Sequence, residues 1–118
     1  MDLYAEMTSL IMEATKLFGG EKTLNKDRIA SLTEISDLMR LFAEVFEGDS
    51  VELRVNEEDR SLSMFVEIPD FVLQNAGDEF VHELISQVDK FIVHWKSKQS
   101  IMVEFVITGI WDTQKESG

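Results

Sequence analysis

Leu3, Met7, Leu10, Ile11, Ala14, Leu17 and Phe18 recur at intervals of three and four, which places them on one side of a helix, and Gly19-Gly20 follows where that helix would stop. The segment from Glu21 to Ala30 is mixed and polar. Ser31-Leu32-Thr33-Glu34 then has the S-x-x-E form, in which the serine and glutamate side chains each satisfy a free amide at a helix start. A second helix is predicted from there to about Phe46, with Gly48 beyond it. Its apolar positions, including Leu32, Ile35, Leu38, Leu41, Phe42 and Val45, cover roughly 200° of its circumference, twice the usual stripe of about 100°. Such a helix is either sandwiched between the first helix and a sheet or lends part of its arc to a partner or a second copy. The sandwich is favoured, because a small domain has few elements with which to cover so wide a face.

From Val51 onward the period changes from helical to alternating. Val51, Leu53 and Val55 interleave with Glu52, Arg54 and Asn56, and after the polar turn at Glu57-Glu58-Asp59 a second alternation runs through Leu62, Met64, Val66 and Ile68. This pattern predicts a β-hairpin with one wet face. Phe65 interrupts the polar side of the second strand and is a candidate contact point. Pro69 closes that strand, and Asn75-Ala76-Gly77-Asp78 reads as a turn into a helix capped at Asp78. Phe80, Val81, Leu84, Ile85, Val88, Phe91, Ile92 and Trp95 fall within an arc of about 140°, which predicts a third helix over the whole span, acidic at its start and lysine-rich at its end. Ile101 to Trp111 is apolar on both faces, as expected of a central strand or of one covered by a second copy.

The elements add up to an α+β chain in the order α-α-β-β-α-β, with a three-stranded, mainly antiparallel sheet packed against helices and the last strand beside the first. The 118 residues suit a single domain over 1–118, with a frayed tail at about 113–118. Phe42, Val66, Leu84, Val88 and Phe105 sit at the centres of their apolar faces and are the expected core. The absence of cysteine removes disulfides, thiolate metal sites and cysteine nucleophiles, and points to a cytoplasmic setting. Met1 to Leu17 lacks the basic start and apolar core of a signal peptide, and no run is long enough to span a membrane.

Little chemistry can be assigned. His82 and His94 both fall on the predicted third helix about 120° apart, so they cannot share an ion, and Asp78 with His82 supplies two ligands where a metal site needs three or four. Gly19-Gly20-Glu21-Lys22-Thr23 lacks the glycine before lysine and the preceding strand of a phosphate loop. The Glu57-Glu58-Asp59 turn lacks the alternating ligands and glycine of a calcium loop, and no G-x-S-x-G elbow is present. No catalytic, cofactor-binding or metal residue follows, and an enzyme is poorly supported.

Charge is the feature that does discriminate. Between Glu44 and Asp89 lie 13 acids against Arg54 and Arg60, so this block carries −11 of the net −12. An acidic block repels nucleic acid and anionic lipid and steers basic proteins toward itself. The expected function is a small acidic, non-catalytic interaction module of the adaptor, chaperone or regulatory-subunit kind, a homodimer that binds a basic protein. The alternative is an inhibitor or immunity-type protein that blocks the basic site of a nucleic-acid enzyme. Glu52, Glu57, Glu58, Asp59, Glu67, Glu79 and Glu83 are the expected partner-binding residues, and Phe65, Trp95, Ile110 and Trp111 a possible apolar interface.

Overall fold

Two glycines end the first helix. Gly19 and Gly20 have φ of 122° and 95°, a region closed to most side chains, and the Gly20 amide donates to the Thr15 carbonyl across the helix end. The computed structural model describes residues 3–45, 49–69, 78–95 and 99–111. Within them α1 spans Leu3–Phe18, α2 Lys26–Val45, β1 Asp49–Asn56, β2 Ser61–Pro69, α3 Asp78–Gln87, β3 Lys90–Trp95 and β4 Ser100–Ile107, with a single 3-10 turn at Glu21–Thr23. The protein is α+β, and its sheet is antiparallel throughout in the order β1-β2-β4-β3.

Three expectations need correcting. The sheet has four strands, because the predicted third helix divides: α3 stops at Gln87, and Phe91-Ile92-Val93 continue as β3 against β4. The run from Val88 to Trp95 satisfies helical spacing and strand alternation at once, and its β-branched and aromatic residues favour the strand once β4 offers it an edge. The last strand lies between β2 and β3, not beside β1. β2 and β4 have fully buried inner faces at the centre, and β1, whose Val51, Leu53 and Val55 are half-buried and whose outer face carries Glu52 and Arg54, lies at the edge. Finally, α2 begins six residues before Leu32. Asn25 is its cap, its Oδ1 accepting the amides of Asp27 (3.1 Å) and Arg28 (3.2 Å), whereas the Ser31 hydroxyl bonds the Arg28 carbonyl one turn inside the helix. The predicted turn at 75–77, the end of α2 beyond Val45 and the tail at 113–118 lie outside the described residues.

Register builds the core. Leu62, Met64, Val66 and Ile68 of β2 stand opposite Ile107, Phe105, Val103 and Ile101 of β4, and all eight are buried on the side facing the helices. Phe42 of α2 meets Phe105 edge-on at 4.9 Å, and Phe91 of β3 closes the cluster 5.0 Å from Phe105. Phe42, Val66, Leu84, Val88 and Phe105, expected in the core, are all buried there. α2 is covered by α1, by α3 and by the sheet, which accounts for its wide arc except at Leu41 and Val45, both exposed.

The chain after β4 fastens this layer to the first helix. Leu24 bridges to Trp111, and the Asn25 amide donates to the Ile110 carbonyl at 2.8 Å. Trp111 packs edge-on to Phe18 at 4.9 Å and donates its indole N–H to the Thr15 hydroxyl at 2.9 Å. Ile110 and Trp111 are therefore buried among the chain's own residues and do not form the exposed interface expected of them. Trp111 turns its apolar surface to Phe18 of α1, and Ile110 is fully buried in the core.

Candidate functional site

Since the helices take one side of the sheet, the alternate positions of each strand make up the other. Glu52 of β1 lies opposite Phe65 of β2, Phe65 opposite Glu104 of β4, and Glu104 opposite Ile92 of β3. These four form one row across the sheet, with neighbours about 4.5–5.5 Å apart. In the next row Glu67 stands opposite Met102 and Met102 opposite His94. Among the described residues of this face, Glu52, Arg54 and Ile92 are exposed, and Phe65, Glu67, Met102 and His94 are half-buried.

Glu104 is the fixed point of the face. Its side chain is 15% exposed, its Oε2 accepts the Ser63 hydroxyl at 2.7 Å, and its Oε1 lies 3.0 Å from Nε2 of His94. Glu67 is held in a similar way, by the Ser100 hydroxyl at 2.7 Å. A hydroxyl, a carboxylate and an imidazole also meet in hydrolase triads, but there the imidazole is central and takes the hydroxyl proton. Here the carboxylate is central, so the Ser63 proton points at Glu104 and the hydroxyl gains no base. The arrangement immobilises a carboxylate; it does not make a nucleophile.

Phe65 is flanked by a guanidinium and an imidazole as well as by carboxylates. The Arg54 guanidinium lies 5.2 Å from the ring centroid, and its Nε donates to Glu52 Oε2 at 2.9 Å. The His94 ring is 6.2 Å from the Phe65 ring and tilted 35° to it. The Arg54 pKa is raised above the usual value, first by the hydrogen bond to Glu52, then by the charge of Glu52, with Glu104 adding a smaller push against a slight desolvation. Glu104 thus acts on Arg54 electrostatically from the other side of Phe65.

The acidic residues expected to bind a partner divide into three places. Glu52 and Glu67 belong to the sheet face just described. Glu57, Glu58 and Asp59 form the exposed β1–β2 tip, shaped by its own side chains: Asn56 Oδ1 accepts the Glu58 amide at 2.9 Å, and Asp59 accepts the Ser61 hydroxyl at 2.7 Å. Glu83 is exposed on α3, in the helix layer, and the fold does not bring it to the sheet face. The side chains of Glu79 and Trp95 lie outside the described part of the structure. His94, read as a helix residue, stands on β3, while His82 stays on α3.

Sequence reasoning singled out Phe65 and missed Glu104, Ser63, His94 and Arg54. Glu104 and Ser63 are 41 positions apart and meet only through the β2–β4 register. The one available signal was Glu104 itself, a charge inside an otherwise apolar strand. Among the described residues, no group of three histidine or acidic side chains is placed to hold a metal ion. A shallow depression of about 460 Å³ along α1 is lined by Tyr4, Thr8, Met12, Glu13 and neighbours on that single helix, and it gathers no convergent polar groups from other elements. No described helix is long and apolar enough to cross a membrane. Comparison with protein-family models, with curated proteins and with solved structures finds no match in any of the three.

Proposed function

We propose that this chain is a non-catalytic interaction module, of the adaptor, chaperone or regulatory-subunit kind, that binds a basic protein through the outer face of its sheet and the adjoining hairpin tip. The observation that supports it most is the row Glu52–Phe65–Glu104, an aromatic ring between two carboxylates on the side of the sheet away from the helices. Protein interfaces favour an apolar or aromatic centre with a polar rim, and carboxylates around such a centre raise the encounter rate with cationic surfaces. The tip carboxylates Glu57, Glu58 and Asp59 extend that field at the end of the hairpin. A cytoplasmic setting belongs to the same reading, as does a second copy of the chain, joined now through β3 and not through Ile110 and Trp111.

The test is capture from the native cell by three proteins: wild type, a face variant with Glu52→Lys and Glu67→Lys, and a tip variant with Glu57, Glu58 and Asp59 all changed to lysine. Capture of a basic protein that weakens with salt and is lost in the face variant supports the module. Capture indifferent both to salt and to these reversals overturns it. A nuclease or polymerase as the captured protein would favour the inhibitor form of the same chemistry.

A further inference from the structure

We propose that the sheet face receives an arginine side chain of its partner, in the position now filled by the protein's own Arg54. The inference rests on the interaction-module reading and specifies what that module recognises. Arg54 shows what the position accepts: a guanidinium laid over the Phe65 ring at 5.2 Å, with one N–H on the Glu52 carboxylate at 2.9 Å. A planar cation suits both contacts, because it stacks on the ring and presents parallel N–H groups to a carboxylate. An ammonium ion has the charge without the plane.

Arg54 holds the position reversibly. Its side chain is 64% exposed, on an edge strand, and its described hydrogen bond uses one of the five N–H donors that a guanidinium carries. When it swings out to solvent, Glu52 can turn both carboxylate oxygens to an incoming guanidinium. Phe65 meanwhile keeps its place between Glu52 and Glu104 through the strand register. Glu104 is itself anchored by Ser63 and His94, so its negative charge stays beside the ring whichever arginine is bound. The net charge of −12 brings a basic segment to the molecule, and the Phe65 position then discriminates arginine from lysine. Arg54 is in this scheme an internal competitor that lowers the apparent affinity by the fraction of time it occupies the ring.

The experiment titrates hexaarginine and hexalysine peptides against wild type, Arg54→Lys and Phe65→Leu, at low and at moderate salt, with thermal melts to confirm that the variants fold. Arg54→Lys keeps the charge and weakens the competitor. It is expected to bind hexaarginine about 3- to 10-fold more tightly than wild type, the factor for a competitor that holds the site roughly 70–90% of the time, with hexalysine unchanged. Phe65→Leu is expected to bind the two peptides alike. Equal binding of both peptides by wild type, with no gain for hexaarginine in Arg54→Lys, would overturn the arginine site and leave the acidic module standing. Failure of wild type to bind either peptide at low salt would remove the module as well.

Discussion

Arg28 and Asp89, 61 positions apart, meet at 2.8 Å and join three elements at one point. Arg28 lies in the first turn of α2, Asp89 between α3 and β3. The Arg28 guanidinium also donates to the carbonyls of Thr108 (3.1 Å) and Gln87 (3.4 Å), and the same Asp89 oxygen accepts the Thr108 amide at 2.6 Å. A cation at a helix start opposes the helix dipole, and Asp89 offsets it.

Removing either partner should therefore loosen the join between the helix layer and the sheet. Arg28→Ala leaves two carbonyls and a carboxylate without their donor, and is expected to cost about 1–3 kcal/mol in urea unfolding. Asp89→Asn keeps an acceptor for the Thr108 amide and should cost less. Equal stability of Arg28→Ala and wild type would show that water replaces the guanidinium at no loss.

A second polar contact is fully buried and should be less forgiving. The Thr15 hydroxyl donates to the Ile11 carbonyl at 2.6 Å and accepts the indole N–H of Trp111 at 2.9 Å. Thr15→Val preserves the shape and leaves that N–H unsatisfied, so a loss of about 1–3 kcal/mol is expected. The Trp111 emission should stay blue-shifted in the folded variant, since the ring remains buried against Phe18. In a Trp95→Phe background, where Trp111 is the sole indole, a red-shifted spectrum from the folded protein would contradict the burial of Trp111.

The core can be probed at a position where sequence and structure coincide. Leu84 is fully buried on α3, and Leu84→Ala should cost about 2–5 kcal/mol. A loss below about 0.5 kcal/mol, the range of surface substitutions, would mean that α3 turns another face to the core.

How much of this was legible depended on the length of each pattern. Sixteen residues of α1 give several repeats of one period, and the hairpin offers two alternations joined by a polar turn, so both were readable. Val88 to Trp95 is too short for either period to exclude the other, and what decides it is the vacant edge of β4, a tertiary fact. The same lack hid the site. Phe65 stood out as an aromatic on a polar strand face, but its neighbours Glu104 and His94 arrive from two other strands, and their approach requires the β2–β4 and β3–β4 registers. The start of α2 was missed for a different reason: Asn25 and Ser31 are both competent caps, and Asn25 prevails where its backbone amide also bonds the Ile110 carbonyl.

The two outer strands of the sheet differ in a way that bears on assembly. β1 has a register shift between Asp49 and Glu52 and carries Glu52 and Arg54, features that discourage another strand from pairing. β3 keeps an unbroken register with β4 from Lys90 to Trp95, and among the described residues it has a strand on one side only. Val93, opposite the buried Val103, is 50% exposed on the helix side, and Ile92 is exposed on the other, so an added strand would cover apolar surface on both faces. Pairing of β3 with β3 of a second copy would join two sheets into one of eight strands. Sedimentation at micromolar concentration should accordingly give twice the 13.5 kDa chain mass, and Val93→Lys, which puts a charge at that edge, should return the single-chain mass without loss of fold. Wild type that sediments as a single chain would overturn the dimer, and Val93 would then be an apolar residue that the helix layer does not reach.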